Sequence, residues 1–333
     1  MTSDHSPLTT HDSPLTTHHS PFTTNNSPFT THHSPFTIFI TGGNGQVGFE
    51  LQRQFAPFGN ILAPTRQALD LTNAQAVDEY LAKHQPSLIL NAAAYTAVDK
   101  AESEPAQAKR LNAELPAQLA TYAAQKGIAL VHYSTDYVYP GNGETPWQED
   151  SPTGPLSIYG QTKLEGDEAV TQSGAHHLIF RTSWVYAARG NNFMKTMLRL
   201  GHKREALNIV NDQVGAPTPA RLIAQITALA FIPNASRLTP HIPSGVYHLA
   251  TQGETSWHGL ASEIFKQASQ RQVELAITPE NTHGITTAQY PTPAKRPLNS
   301  RLALSKLEQA LGITLPTWQH QLALTLQEHL EHY

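Results

Sequence analysis

The chain has 333 residues, no cysteine and a net charge of −4, with 22 basic and 26 acidic side chains. The lack of cysteine excludes disulfides and thiolate metal ligands, and the lack of a long basic run argues against a nucleic-acid or membrane-surface partner. The sequence has neither an apolar run long enough to span a bilayer nor the basic start and apolar core of a secretory signal. We therefore expect a cytoplasmic protein with one large domain or two modest ones.

The first 36 residues form a separate segment that is built from a seven-residue repeat. From Ser6 onward the units read SPLTTHD, SPLTTHH, SPFTTNN and SPFTTHH, followed by SPFT. A heptad coiled coil needs two apolar positions per unit and tolerates no proline, whereas each unit here has one large apolar residue and one proline. One apolar residue cannot offset the entropy cost of ordering the others, so we predict that residues 1–36 are disordered.

A glycine-rich loop joins the first predicted strand, over 37–41, to the first predicted helix, over 49–55. In this loop Gly42, Gly45 and Gly48 have the spacing of dinucleotide-binding loops. Glycines there let the backbone turn tightly and approach a pyrophosphate, which lies at the N-terminus of the following helix. The order of strand, glycine loop and helix therefore predicts a dinucleotide site.

The second predicted strand, over 60–63, ends without the acidic residue that usually binds the ribose hydroxyls of NAD. Pro64, Thr65 and Arg66 follow it instead. A missing carboxylate and a nearby guanidinium favour NADPH, whose 2′-phosphate an arginine can bind. NADH stays an alternative, because Arg66 is also explained as an ordinary solvated side chain.

Predicted strands and helices alternate regularly in the first half of the chain. The further strands are predicted over 87–91, 128–133 and 178–182, and the further helices over 74–83 and 104–126. This alternation predicts an α/β fold, a Rossmann-like doubly wound parallel sheet that occupies 37–185. The alternation is lost afterwards, so we expect 186–333 to form mainly a smaller substrate-binding lobe, interleaved with the last elements of the sheet.

Tyr159 and Lys163 lie close to the start of a helix predicted over 163–170. Side chains four residues apart on a helix are neighbours, and a nearby cation lowers the pKa of a tyrosine toward the neutral range. Such a pair can donate a proton to a developing alkoxide. Taken alone the spacing also fits a surface pair, but the glycine loop, 91–96 and 134–136 should all meet at the carboxyl edge of the sheet, where ligands bind. We therefore interpret the pair as catalytic.

Eight segments carry a resemblance to a known family. They are TGGNGQVG at 41, LNAAAYTAVDKAESEP at 90, VHYSTDYVYPG at 131, PLSIYGQTKLEGDEA at 155, FRTSWVYAARGNNF at 180, NDQVGAPTPA at 211, GVYHLA at 245 and PAKRPLNSRL at 293. Through these segments, which occur in order from about residue 38 to the C-terminus, the chain resembles the dTDP-4-dehydrorhamnose reductases, a family of extended short-chain dehydrogenases/reductases. Tyr139 stands where phenylalanine is more usual, and we expect this difference to be tolerated.

The resemblance implies reduction of the 4-keto group of dTDP-4-dehydro-L-rhamnose by NADPH or NADH. The product would be dTDP-L-rhamnose, a precursor of cell-surface polysaccharides such as lipopolysaccharide O-antigen. In this reading Tyr159 donates the proton, Lys163 lowers the pKa of Tyr159 and binds the nicotinamide ribose, and Thr135 donates a hydrogen bond to the keto oxygen.

The resemblance also implies the binding residues for both ligands. The substrate positions are Thr135, Asp136, Trp184 and Arg296. The cofactor positions are Gly42, Gly45, Gln46, Val47, Gly48, Asp70, Leu71, Ala94, Tyr95, Thr96, Tyr133, Tyr159 and Lys163. Glutamates of some relatives are associated with Mg²⁺ and dimerisation, and Glu50 is a candidate for such a position. A Mg²⁺ requirement and a homodimer are therefore open expectations.

Two alternative functions remain at this point. The first is another nucleotide-sugar enzyme of the same superfamily, such as an epimerase or a dehydratase. Dehydratases need a pair of carboxylates after the threonine, whereas Asp136 is followed by Tyr137. The second is a non-catalytic regulatory subunit with the same fold, because a fold does not prove an activity. The intact set of Thr135, Tyr159 and Lys163 favours an enzyme.

Overall fold

A computed structural model describes residues 36–232 and 238–331 of the chain. The repeat that we predicted to be disordered lies outside these residues, apart from Phe36. The described strands are β1 (Thr37–Thr41), β2 (Asn60–Leu62), β3 (Leu88–Asn91), β4 (Ala129–Thr135), β5 (His176–Thr182), β6 (Val185–Tyr186), β7 (Leu207–Val210), β8 (Val214–Gly215), β9 (Thr218–Pro219), β10 (Gly245–His248), β11 (Thr255–Ser256) and β12 (Thr282–Ile285).

Eleven α-helices lie among the described residues. They are α1 (Gln46–Phe55), α2 (Ala74–His84), α3 (Val98–Ala101), α4 (Pro105–Lys109), α5 (Leu115–Lys126), α6 (Ile158–Gln172), α7 (Phe193–Gly201), α8 (Ala220–Leu229), α9 (Trp257–Gln270), α10 (Ser305–Leu311) and α11 (Trp318–Glu331). None of these described helices combines the length and the apolar character that crossing a membrane requires.

Six strands form one parallel sheet in the order β10-β5-β4-β3-β1-β2. The chain moves outward from β1 to β2, then returns to the other side of β1 and continues through β3, β4 and β5. This reversal beside β1 is the topological switch point of a doubly wound sheet, where ligands bind beyond the carboxyl ends of the strands. The predicted Rossmann-like fold is confirmed.

Alternate residues of β1 show why the sheet is covered on both faces. Ile38 and Ile40 pack with Leu51 of α1 in one core, whereas Phe39 packs with Leu81 of α2 in another. Successive side chains of a strand point to opposite faces, so a continuous apolar strand needs helices on each side. The buried TIFIT sequence is thus matched to a two-sided sheet.

The later part of the chain adds a third core and returns once to the sheet. Met197 of α7, Phe265 of α9 and Leu322 of α11 pack together there. Short strand pairs accompany these helices: β6 with β9, β7 with β12, and β8 with β11. In contrast, β10 pairs with β5 and forms the edge of the six-stranded sheet. Elements that follow residue 185 therefore contribute both to the third core and to the six-stranded sheet.

Helix α6 begins earlier than predicted. The side chain of Ser157 caps it, since its Oγ accepts a hydrogen bond from the N–H of Gly160 at 3.2 Å. The helix therefore starts at Ile158 instead of residue 163. As a consequence, both Tyr159 and Lys163 lie within its first two turns, on neighbouring positions of one face.

The long helix predicted over 104–126 is divided into α4, a π-helical turn at Arg110–Glu114, and α5. Pro116 is the second residue of α5 and follows the π turn within one continuous helical run, so its missing N–H and its ring interrupt the backbone hydrogen bonds there. The π turn directs the side chain of Asn112 inward. Its Oδ1 accepts from the N–H of Tyr95 at 2.8 Å and its Nδ2 donates to the Tyr95 carbonyl at 3.1 Å. This pair of bonds fixes the chain that follows β3.

Candidate active site

A cavity of about 870 Å³ lies at the carboxyl edge of the sheet. All but one of the residues that we predicted for the site line it. They are Gly42, Gly45, Gln46, Val47, Asp70, Leu71, Ala94, Tyr95, Thr96, Tyr133, Thr135, Asp136, Tyr159, Lys163, Trp184 and Arg296. The exception is Gly48, which packs behind the loop. The individual roles of these residues stay predictions, but the structure brings them to one place.

The glycine loop is folded tightly against itself and against β3. A Cβ atom on Gly48 would lie 2.2 Å from the carbonyl oxygen of Gly42, and one on Gly42 would lie 2.9 Å from the backbone of Ala92. Gly42 also has a φ of +66°, a conformation that favours glycine. These three constraints explain why the loop needs glycine at Gly42 and Gly48.

The loop leads into the N-terminus of α1, which faces the cavity. Gly45 is its N-cap residue and provides no side-chain cap, so the first-turn N–H groups have no side-chain acceptor. Gln46 and Val47 of this turn line the cavity. Free amides and the positive end of the helix dipole suit an anion, and the close glycine backbone suits a diphosphate. These features fit a dinucleotide.

Beyond β2 the cavity is lined by Pro64, Arg66, Asp70 and Leu71. The carboxylate of Asp70 accepts from the N–H of Thr72 at 3.0 Å and from its hydroxyl at 2.8 Å. The hydrogen bond from the backbone and, to a smaller extent, that from the hydroxyl lower the pKa of Asp70. The Asp70 side chain therefore stays ionised and is bound within its own turn. Arg66 is a cationic side chain at this end of the cavity and can bind a phosphate group.

Tyr159 and Thr135 meet in the middle of the cavity. Tyr159 is half-buried and contacts Tyr137 edge to face, with ring centroids 5.4 Å apart. Desolvation raises the pKa of Tyr159 above its ordinary value, while the adjacent Thr135 hydroxyl acts in the opposite direction. The phenol is therefore protonated at neutral pH, which is the form that a proton donor needs.

Lys163 is held against β4 at the wall of the cavity. Its Nζ donates to the carbonyl of Tyr133 at 2.6 Å and lies 3.2 Å from His132 Nε2. Burial lowers the pKa of Lys163 to about 8, and the charge of Asp167 opposes this effect. Desolvation of the phenol is the largest influence on the pKa of Tyr159, and the expected lowering of that pKa by Lys163 stays a prediction.

Asp136 is almost wholly buried beside Thr135, whose hydroxyl donates to Asp136 Oδ1 at 3.0 Å. Burial raises the pKa of Asp136 to about 6, against the hydrogen bonds of Ser300 and Thr135. The side chain can therefore gain or lose a proton near neutral pH at moderate cost. A carboxyl group in this state suits a hydroxyl-rich ligand, for which it can act as donor or acceptor.

The far end of the cavity contains two stacked tryptophans. The rings of Trp184 and Trp257 lie 3.7 Å apart between centroids, at an interplanar angle of 12°. Trp184 follows β5 in a left-handed conformation, with φ of +49°. Trp257 opens α9 and donates from Nε1 to Gln213 Oε1 at 3.0 Å. Trp257 could not be predicted from the sequence, because nothing in the local sequence places α9 against the segment that follows β5.

Arg296 lies at the same end and is held by two partners. Its Nη2 donates to Asp99 Oδ2 at 2.8 Å, and its Nη1 donates to the hydroxyl of Tyr137 at 3.3 Å. Asp99 is 197 residues away in the sequence and was also missed. The guanidinium is thus oriented toward the cavity before any ligand contacts it, which suits recognition of an anionic group such as a diphosphate.

The residues around Glu50 do not fit Mg²⁺. The side chain of Glu50 is 6% exposed, and its carboxylate accepts from Arg221 Nε at 3.3 Å. Arg221 also forms an ion pair with Glu328, so a guanidinium already bridges the two carboxylates. A Mg²⁺ ion prefers oxygen ligands without a competing cation. Within 36–232 and 238–331, we find no cluster of three or more His, Asp or Glu residues that could hold a metal.

Comparison with known proteins identifies the family. Residues 36–331 match the family model described as the RmlD substrate binding domain. The chain is 49% identical over 286 residues to the dTDP-4-dehydrorhamnose reductase of Shigella flexneri, a match that covers 85% of this chain and 94% of that protein. A reductase of the same name from Burkholderia thailandensis is 44% identical over 296 residues, which cover 88% of this chain and 99% of that one.

Solved structures agree with these sequence matches. A dTDP-4-dehydrorhamnose reductase from Clostridium acetobutylicum is 35% identical, with a TM-score of 0.80 and coverage of 89% of this chain and 100% of that one. Another, from Bacillus anthracis in complex with NADP, is 32% identical with a TM-score of 0.78, covering 88% and 99%. The resemblance noted in the sequence is confirmed, and the chain belongs to the dTDP-4-dehydrorhamnose reductase family.

Proposed function

We propose that the protein reduces the 4-keto group of dTDP-4-dehydro-L-rhamnose with a nicotinamide dinucleotide and releases dTDP-L-rhamnose. The observation that carries this proposal is the meeting of Tyr159, Thr135 and Lys163 in one cavity. The glycine loop forms one end of that cavity, and Trp184 and Arg296 form the other. The names of the most similar relatives support the choice of substrate.

The chain's own residues would handle the proton and the charge, and a bound nicotinamide would supply the hydride. As the hydride adds to carbon 4, the keto oxygen becomes an alkoxide, and Tyr159 gives that oxygen its phenolic proton. The hydroxyl of Thr135 lies beside Tyr159, and by turning its one proton from Asp136 Oδ1 to the substrate oxygen it would stabilise the developing negative charge. The ammonium of Lys163 then stabilises the phenolate that remains on Tyr159.

For the cofactor we propose NADPH. The amides at the start of α1 would bind the diphosphate, and Arg66 would bind the 2′-phosphate at the end of β2. The absence of a carboxylate directly at the end of β2, over 63–66, supports this preference over NADH, since a carboxylate at that position is what binds the ribose hydroxyls of NAD. The relative from Bacillus anthracis was solved in complex with NADP.

We further propose that 37–185 mainly holds the cofactor and 186–333 mainly holds the nucleotide sugar. The contributions of Trp257 and Arg296 to the cavity support this division. A cytoplasmic location follows from the proposal, because both NADPH and activated sugars are made and used there. A homodimer remains a prediction of the family resemblance.

The direct test is to mix the purified protein with NADPH and freshly prepared dTDP-4-dehydro-L-rhamnose. We expect NADPH to be consumed in proportion to the dTDP-L-rhamnose that is formed, and we expect no consumption with dTDP-glucose, which has no keto group. Folded protein that binds NADPH but turns nothing over would contradict the proposal. Protein that is purified with tightly bound NAD and needs no added cofactor would indicate an epimerase instead.

A further inference from the structure

A row of buried polar side chains crosses the sheet beneath the cavity. Thr41, Asn91 and His132 are register partners on β1, β3 and β4. Thr41 Oγ1 donates to Asn91 Oδ1 at 2.7 Å, and Asn91 Nδ2 lies 3.0 Å from His132 Nδ1. The row ends at His132 Nε2, which contacts Lys163. A continuous set of contacts thus joins the residue before the glycine loop to Lys163.

Asp167 is a second charged side chain close to His132 Nε2. It lies one helical turn after Lys163 on α6, with its Oδ1 atom 3.7 Å from His132 Nε2. Its Oδ2 atom accepts from Arg181 Nε of β5 at 3.0 Å. Lys163, Asp167 and Arg181 are 1%, 2% and 5% exposed. Charges at this depth need partners, because water no longer stabilises them.

Asp167 is the group that can compensate the buried charge of Lys163. Its carboxylate opposes the effect of burial on the pKa of Lys163. His132 cannot do so, because burial and the nearby Lys163 hold the pKa of His132 well below its ordinary value, and the ring stays neutral. Nothing in the proposed chemistry uses Asp167, and the phenol of Tyr159 is not among its hydrogen-bond partners.

We propose that Asp167 is a positioning residue for Lys163: anchored by Arg181, it keeps the Lys163 ammonium charged and bonded to the carbonyl of Tyr133. The inference rests on the proposed function, in which that ammonium binds the cofactor ribose and stabilises the Tyr159 phenolate. In this arrangement Arg181 fixes the position of the Asp167 carboxylate, and that carboxylate keeps Lys163 charged. The Tyr133 carbonyl of β4 fixes the direction of the Lys163 side chain.

The sign of the expected pH dependence follows from these charges. Removing the carboxylate of Asp167 removes an attraction for the ammonium, so the pKa of Lys163 falls below its present value of about 8. Binding that needs the ammonium is then lost at a lower pH. The other ionisable groups nearby are His132 on β4, Arg181 on β5, and Tyr159 and Asp136 at the cavity. His132 stays neutral and Arg181 stays charged across this range.

Tyr159 is removed from the measurement, so that the neighbouring phenol cannot contribute to the alkaline change in binding. We therefore choose the Tyr159→Phe background and measure the dissociation constant of NADPH by fluorescence, without substrate, from neutral to alkaline pH. Adding Asp167→Asn should move the alkaline midpoint of binding down by about one pH unit or more, the scale of losing a nearby opposite charge. The matched control is Glu168→Gln, which removes the same charge from the exposed side of α6 and should leave the midpoint unchanged.

A second pair of variants guards against misfolding, since Asp167→Asn leaves Arg181 without its carboxylate. Arg181→Gln and the double variant Asp167→Asn, Arg181→Gln both lack the Arg181 guanidinium, so neither contains an arginine that has lost its carboxylate. The midpoint should be lower in the double variant than in Arg181→Gln alone. Equal midpoints in both comparisons would overturn the inference.

The outcomes separate this inference from the proposed function. Normal turnover by the wild type together with unshifted midpoints would overturn the role of Asp167 and leave the reductase intact. A shifted midpoint in a protein that turns over no nucleotide sugar would support the role of Asp167 and contradict the substrate. Wild-type protein that does not bind NADPH at all would contradict both.

Discussion

The two halves of the cavity are constructed differently. The cofactor half is mainly backbone, formed by the continuous segment 42–47, which includes the first amides of α1. The substrate half is mainly side chains, with Trp184, Trp257 and Arg296 brought together from three distant segments. A backbone surface should be sensitive to any added atom, whereas a side-chain surface should respond to each substitution separately. The comparison thus predicts different responses of the two halves to mutation.

The largest effect on activity should come from Gly48→Ala, which disturbs the backbone of the cofactor half. The new Cβ would lie 2.2 Å from the Gly42 carbonyl oxygen, so the loop must move. We expect kcat/KM for NADPH to fall by roughly 10²-fold, the cost of about 1 Å of misplacement, while the protein remains folded by circular dichroism. Gly154→Ala is the control, because its nearest neighbour is the ring of Pro140 at 3.3 Å, away from the cavity. Equal kinetics for the two variants would contradict the prediction.

A smaller and more selective effect is expected from Trp257→Leu in the side-chain half. This change removes the ring stacked on Trp184 at 3.7 Å but leaves the glycine loop intact. An aromatic pair contributes about 0.5–1.5 kcal/mol, so KM for the nucleotide sugar should rise roughly twofold to tenfold, with the dissociation constant of NADPH unchanged. Trp147→Leu is the matched control, since Trp147 stacks on Tyr139 away from the cavity. A weakened NADPH affinity in Trp257→Leu would show that the two halves are not independent.

The smallest effect should come from removing metal ions. Outside both halves, Arg221 bridges Glu50 and Glu328 and so joins α1, α8 and α11 without a metal. We expect EDTA to leave both turnover and the temperature of thermal unfolding unchanged. Activity that disappears with EDTA and returns with Mg²⁺ would contradict this prediction and indicate a metal site elsewhere than at Glu50.

The same division explains how much could be predicted from the sequence. The strand Thr37–Thr41 agrees with the prediction to the residue, because its apolar pattern and the glycines that follow it define it locally. The glycine loop was predictable for a related reason: its spacing is a requirement of the backbone. The cofactor half could therefore be located from one continuous segment and its neighbouring elements.

The substrate half could be located only in part. Trp184 and Arg296 entered through the family resemblance, whereas Trp257 and Asp99 depend on contacts between segments that are far apart in the chain. The role of Lys163 shows the same limit. Spacing on a helix places it near Tyr159, but the structure shows that the Tyr133 carbonyl of β4 holds its ammonium, close to His132. Sequence spacing contains no information about those partners.

The central claim is that Tyr159 donates the proton at the point where the two halves meet. The most direct measurement is a single turnover of enzyme that has been loaded with NADPH, comparing wild type with Tyr159→Phe after rapid mixing with dTDP-4-dehydro-L-rhamnose. We predict that both proteins are loaded with NADPH and that the rate of NADPH oxidation falls by ~10²-fold or more in the variant, the scale of losing a positioned general acid. Equal rates of oxidation in the two proteins would contradict the account and assign the proton to another donor.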